Sequence, residues 1–340
     1  MTGEAANALI VVAKMKRGVM SRLFVNQIKE NDVVSETYRV VEKALRPNKN
    51  GVLYLQFVLT DRTGSVSGRL WNATEEMFRQ FADGDFVRCD GMAQRFQGNI
   101  QVIAKKLTKV DSKDVALEDF TRDAAVDVAA LWKRVRELLG AMKNPKLRDL
   151  ADCFLTDDAF VERFSRGYAG VRLHHAHPGG LLEHTASTME LASRIASHYG
   201  AALDADLLLV GAFLHDVGKT IELSDDPTNP VYTDAGQALG HPYLGVEILT
   251  KKIAETEKLT GEPFDERLAI LLKHMILSHH GTPENGAAKV PASLEAMALH
   301  YIDSLDAKLA EFQKHIAEDP NVGGGWTNYI PSLERKLMKF

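Results

Sequence analysis

The stretch Val52 to Trp71 reads VLYLQFVLTDRTGSVSGRLW and determines how the front of the chain folds. Leu53, Leu55, Phe57 and Leu59 alternate with Tyr54, Gln56 and Val58, a period of two that turns one face of a strand inward and the other outward. Asp61-Arg62-Thr63-Gly64 then reverses the chain. Ser65 to Trp71 alternates again, with Val66 and Leu70 on one face and Ser67, Arg69 and Trp71 on the other.

Beyond this pair of strands, a short helix is predicted over Thr74 to Phe81, and Gly84 opens a strand that runs to Phe96. Gln97-Gly98-Asn99 turns that strand, after which Ile100, Val102 and Ala104 alternate inward along the last one. An extended segment, Glu36 to Leu45, comes first. Five strands with a helix between the third and fourth is the order of an OB-fold, a small barrel that holds single-stranded nucleic acid. Its outward face is expected to carry Tyr54, Gln56, Arg69, Trp71, Arg88 and Gln101, which mix stacking surfaces with donors for a phosphate backbone. The plainer alternative packs Trp71 under the helix that follows it.

The charge balance points the same way. Residues 1 to 113 hold 18 Lys and Arg against 12 Asp and Glu, a net +6, while residues 114 to 340 hold 23 against 34, a net −11. A basic front and an acidic rear suit a chain that grips a polyanion with one domain and processes it with the other. Chance asymmetry between two domains is the competing reading.

In 340 residues that are 45% hydrophobic and 26% charged there is apolar material for two cores, which excludes disorder and collagen. The apolar stretch Ala8 to Ala13 is too short to span a membrane and lacks a signal-peptide cleavage pattern, so no membrane partner and a cytoplasmic location are expected. Cys89 and Cys153 are the only cysteines, too few for a disulfide framework or a cysteine metal knuckle. A metal site must then use histidine and carboxylate.

Residues 20 to 110 are assigned to the OB-fold, and the polar, acidic residues 111 to 125 to a connector. Residues 126 to 320 form a helical domain, and 321 to 340 a tail. About seven helices are predicted, at 126 to 142, 145 to 155, 179 to 199, 204 to 217, 242 to 256, 265 to 280 and 292 to 317. The fold class is thus an all-β barrel followed by an all-α bundle.

All 12 histidines lie beyond residue 173. The informative ones fall in helices or at their ends: His184, the pair His215-Asp216, His241 and the pair His279-His280, with Asp303 on the last long helix. Neighbours on a helix point about 100 degrees apart, so the Asp of a His-Asp pair can bridge two ions. One ion is expected on His184, His215, Asp216 and Asp303, and the other on Asp216, His241, His279 and His280. Two divalent ions against two carboxylates leave a net charge of about +2, which draws a phosphodiester and acidifies water. The fold itself is expected to survive loss of a ligand.

The order His184, His215-Asp216, His241, His279-His280, Asp303 resembles the metal-dependent phosphohydrolases of the HD superfamily. The segments LHHAHPGGLLEHT (173 to 185), GAFLHDVGK (211 to 219), LGHPYLG (239 to 245), LSHHGTPENGA (277 to 287) and EAMALHYIDSLDAKL (295 to 309) sit behind LTDRTGSVSGRLW (59 to 71). Together they resemble the YhaM-type 3′-to-5′ exoribonucleases over roughly residues 20 to 320. That resemblance implies shortening of single-stranded RNA, and often DNA, from the 3′ end with manganese, or with cobalt, iron or nickel. Histidine ligands independently disfavour magnesium. Lys219, three residues past Asp216, is placed to hold the scissile phosphate or the leaving oxygen, with an ordinary helix-end cation as the alternative. His174 and His175 are candidates for lining the substrate channel. His177-Pro178 departs from the family pattern and takes no role.

Two other readings compete. A cyclic-dinucleotide phosphodiesterase of the HD-GYP type lacks its GYP here, Gly281-Thr282-Pro283 standing in its place. A non-catalytic nucleic-acid-binding scaffold has no need of seven ligand-type residues. Oligomeric state is open, a homo-oligomer included.

Overall fold

The structure is a computed structural model that describes residues 22–96, 99–120, 126–170, 177–226, 230–317, 319, 321 and 323–339. It divides into two compact units between Val115 and Ala116.

In the front unit, β1 (Val33–Pro47), β2 (Leu53–Asp61), β3 (Gly64–Trp71), β4 (Phe86–Phe96) and β5 (Asn99–Val110) close a barrel in the order β1-β2-β3-β5-β4, with the short helix α1 (Glu75–Arg79) between β3 and β4. Closure rests on β1, whose first half pairs with β4 and whose second half, beyond Arg39, pairs with β2. Leu55, Phe57 and Leu59 point inward and join Val34, Tyr38, Val87, Cys89 and Val102 in the barrel core, as the alternation predicted. Such a barrel has no open sheet edge, because every strand is paired on both sides.

The rear unit is helical. Its described residues form α2 (Val128–Gly140), α3 (Pro145–Leu155), α4 (Asp158–Arg166), α5 (Gly180–Tyr199), α6 (Ala205–Leu214), α7 (Lys219–Glu222), α8 (Asp234–Thr260), α9 (Glu266–Ser278) and α10 (Leu294–Ala317). That is two more helices than the seven predicted. Helix α4 is only nine residues long, with Phe160, Val161 and Phe164 at helical spacing, and α7 is a single turn. The helix expected to start at 242 begins at Asp234 under a Thr233 cap, and Pro242 marks where it restarts after a break at Gly240.

Helix α6 positions the chemistry. Every residue from Leu207 to Leu214 is buried. A helix apolar all round belongs in the middle of its bundle, so the residues that follow it emerge at the centre. Phe154, Phe160, Phe164 and Phe213 pack edge-on or tilted with ring centroids 5.1 to 6.3 Å apart and anchor α6 to α3 and α4. Beyond α10, Ile330, Leu333 and Leu337 form a small separate cluster against Phe312 and Ile316. Among the described residues, no helix is long and apolar enough to cross a membrane.

Candidate metal centre

Five helices deliver the polar residues. His184 lies one turn into α5, His215 caps the C-terminal end of α6 with Asp216 next to it, His241 follows the Gly240 break in α8, His279 caps the C-terminal end of α9, and Asp303 sits on α10. Asp216 and the four histidines His184, His215, His241 and His279 are buried.

These side chains sort into two groups. His184, His215 and Asp303 offer donor atoms that all lie within 4.8 Å of one another, and so do His241, His279 and His280. Asp216 stands between them. Its Oδ2 lies 3.7 Å from His184 Nε2 and 3.4 Å from His215 Nε2, while its Oδ1 lies 3.4 Å from His241 Nε2 and 3.7 Å from His279 Nε2. Within the first group, His184 Nε2 is 3.1 Å from both Asp303 Oδ1 and His215 Nε2. Donors sharing an ion through bonds of about 2.1 Å sit roughly 3 to 3.5 Å apart, so the spacing suits shared coordination.

Unmet hydrogen bonding supports the same fit. Asp216 Oδ1, His241 Nε2, His279 Nε2 and His280 Nδ1 are buried and have no hydrogen-bond partner. Burying such atoms unpaired costs free energy, which a cation recovers at lone pairs. The lone pairs are fixed by the opposite ring nitrogens. His215 Nδ1 donates to the Ala212 carbonyl at 2.8 Å and His279 Nδ1 to the Ile276 carbonyl at 2.7 Å, which leaves each Nε2 unprotonated.

Two carboxylates that the sequence reading did not single out complete the arrangement. Asp306 Oδ2 lies 2.7 Å from His184 Nδ1, and Glu222 lies 3.1 Å from His241 Nδ1. Asp306 stands three residues past Asp303 on one helix face, a spacing visible in sequence. No such signal marks Glu222. With these two acids and Lys219 counted, two divalent ions leave the pocket a net charge of about +1 rather than the +2 expected.

Ionisation follows the same contacts. Burial alone would lower the pKa of His184, but hydrogen bonds to Asp303 and Asp306 raise it to about 9 without metal. Burial and the neighbouring imidazoles His280 and His215 push His279 well below its usual range. Despite burial, the Lys219 ammonium and the nearby histidines hold Asp216 far below an ordinary carboxylate.

Lys219 is not a free arm. It opens α7, keeps only 11% of its side chain exposed, and donates to Asp216 Oδ2 at 2.7 Å. Gly218 makes this possible: a Cβ there would lie 2.0 Å from the His241 carbonyl oxygen and 2.6 Å from the Gly245 nitrogen. Gly218→Ala should therefore force α8 from the His215-Asp216 turn and lower stability by roughly 1 to 3 kcal/mol. In a unit of this size that is about 2 to 10 °C in a thermal melt, accompanied by weaker metal binding.

His174 and His175 lie outside the described residues, as does Gln97-Gly98 of the predicted turn. His177 Nε2 pairs with Glu183 at 3.1 Å.

On the barrel, Tyr54 and Trp71 are cross-strand partners with rings 5.2 Å apart. The Arg69 guanidinium lies 5.5 Å from each of those ring centroids and 5.2 Å from that of Phe96. Its Nε is buried without a hydrogen-bond partner, so ring faces hold the group in place. Trp71 and Phe96 are each 42% exposed, which leaves aromatic surface for bases. Phe96 was not among the residues expected there. Gln56 is exposed beside Arg69. One expectation needs correction. Gln101 is buried between its strand partners Ser67 and Gln94, with Nε2 3.5 Å from Ser67 Oγ. Arg88 is exposed, as expected, and lies eight residues from Phe96 along β4, where Ser35 and Asp90 engage it.

A family model described as the HD domain matches residues 181–308, and one described as an OB-fold nucleic acid binding domain matches residues 39–110. Among solved structures, the chain is similar to the second OB-fold domain of replication protein A from Methanococcus maripaludis, with 19% identity over 26% of this chain and 93% of that one and a TM-score of 0.22. The p204 HINb domain matches with 13% identity over 26% of this chain and 47% of that one, at a TM-score of 0.22. Asparaginyl-tRNA synthetase from Pyrococcus horikoshii matches with 11% identity over 69% of this chain and 59% of that one, at a TM-score of 0.23. The chain spans under two thirds of the last two. It carries an OB-fold nucleic-acid-binding domain followed by an HD domain, which indicates a metal-dependent phosphohydrolase.

Proposed function

We propose that this protein is a metal-dependent 3′-to-5′ exonuclease that shortens single-stranded RNA, and DNA, to nucleoside 5′-monophosphates. The observation that carries the reading is the division of Asp216 between two histidine groups, in a chain that also presents Arg69 among Tyr54, Trp71 and Phe96. His184, His215 and Asp303 would hold one divalent ion and His241, His279 and His280 the other, with Asp216 shared. The donor set suits manganese, cobalt, iron or nickel better than magnesium. When bound, such ions supply Lewis acidity toward a phosphodiester and acidify water.

The chain's own groups do the rest. Lys219 keeps Asp216 ionised and aimed, and reaches a phosphate only by leaving it. Tyr54, Trp71 and Phe96 stack bases without reading their sequence, while Arg69 and Gln56 reach the backbone. Water adds across the bond between phosphorus and the upstream 3′ oxygen. The upstream strand leaves with a 3′ hydroxyl, and the released nucleotide keeps its 5′ phosphate.

Each duplex step costs about 1 to 2 kcal/mol to open, and the sequence holds no GxxxxGK[ST] loop for a nucleotide-driven motor. Degradation should therefore stall at stable duplex. The test is a time course with manganese on 5′-labelled RNA carrying a 3′ overhang. The expected result is a ladder of shrinking fragments that halts near the duplex, with 5′-monophosphates identified by mass. Internal cuts, 3′-monophosphates, or cleavage of a cyclic dinucleotide alone would overturn the reading.

A further inference from the structure

Glu222 is bound to His241 twice. Its Oε1 accepts from the His241 backbone N–H at 2.9 Å and lies 3.1 Å from ring Nδ1, with Oε2 also at 3.1 Å. The cause is the break at Gly240, whose φ of 75° and ψ of 154° suit glycine alone. The helix restarts there, so the His241 amide is a first-turn N–H without a partner one turn earlier, and Pro242 at the next position has no N–H to place. A buried carboxylate that takes both the amide and the ring proton fixes where the backbone starts and which way the imidazole faces.

Glu222 is itself firmly placed. The Thr233 amide donates to the Glu222 carbonyl at 2.9 Å, Thr233 Oγ1 donates to the Ile221 carbonyl at 2.9 Å, and Leu223 bridges to Tyr232. The chain entering α8 is thereby tied to the turn that carries Asp216.

We propose that Glu222 is the positioning residue that makes His241 a ligand of the second histidine group, by holding the ring as the tautomer with its proton on Nδ1 and Nε2 bare. This inference rests on the two-ion reading. Without Glu222 the ring can rotate, or carry its proton on Nε2, where it cannot ligate, and the buried amide loses its acceptor. Asp306 stands in the corresponding place for His184, with its Oδ2 on ring Nδ1.

The test is a titration of metal-free protein with cobalt(II), followed by its visible absorption. Glu222→Gln, which keeps the shape and one acceptor oxygen, should weaken one bound ion at least about tenfold and leave the other unchanged. A double-mutant cycle separates positioning from a general structural effect. In a His241→Ala background, Glu222→Gln should cost nothing further, whereas in a His184→Ala background it should keep its full effect. Equal losses in both backgrounds, or unchanged affinity in the single variant, would overturn the proposal. Wild-type protein that binds fewer than two cobalt ions would count against the two-ion reading instead, while the comparison of backgrounds still decides the role of Glu222.

Discussion

Asp216→Ala is expected to abolish binding of both ions and to lower hydrolysis by about a thousandfold or more, roughly 4 kcal/mol of transition-state stabilisation. Asp216 lies within 4 Å of donors from both histidine groups, through separate oxygens. The same change should also weaken the fold. Asp216 is 2% exposed and carries the Lys219 ammonium, itself 11% exposed, at 2.7 Å, so alanine leaves a largely buried cation without its partner. Breaking such a pair costs about 3 to 5 kcal/mol. The sequence-based expectation that folding survives loss of a ligand therefore does not extend to this one.

Asp216→Asn separates the two effects, because it keeps the volume and an oxygen for Lys219 while removing the charge that holds cations. It should melt closer to wild type and still bind little metal. The measurement is metal content by atomic emission after dialysis, beside a thermal melt. A variant that kept two ions would remove Asp216 from the centre. Conversely, His184→Ala should chiefly deplete one ion.

Loss of the aromatic cluster on the barrel should be felt by long substrates and not by short ones. Trp71→Ala removes one stacking surface, about 1 to 3 kcal/mol per base, or roughly 5- to 150-fold in affinity for a single-stranded oligonucleotide. Arg69→Ala should fall in the same range, since its guanidinium touches three rings and supplies a charge. Salt tells the two apart. Arg69→Ala should reduce the slope of log affinity against log salt by about one, whereas Trp71→Ala should leave it unchanged. Hydrolysis of a small model diester should stay at the wild-type rate in both. Unchanged KM for long oligonucleotides would show that this face serves something other than strand binding.

Much of this was legible in sequence because it is local. The alternation of Leu55, Phe57 and Leu59 needs only neighbouring residues to declare a strand, and the run from Leu207 to Leu214 declares a buried helix in the same way. The residue types of the metal centre were legible too, since imidazole and carboxylate are what a site without cysteine must use.

What sequence alone determined is therefore the barrel, the helical bundle and the chemical character of the donors, each a consequence of short-range periodicity or composition. The tertiary structure decided the rest, because it concerns groups that meet only across space. The arrival of Phe96 on Arg69 from another strand, the burial of Gln101 beside Ser67, and the pairing of Lys219 with Asp216 are settled by how elements pack. So is the hold of Glu222 on His241, 19 residues away, which depends on a glycine break that frees one amide and on a turn that brings a carboxylate to it. Periodicity along one chain segment cannot encode a contact whose two halves are brought together only by the packed core.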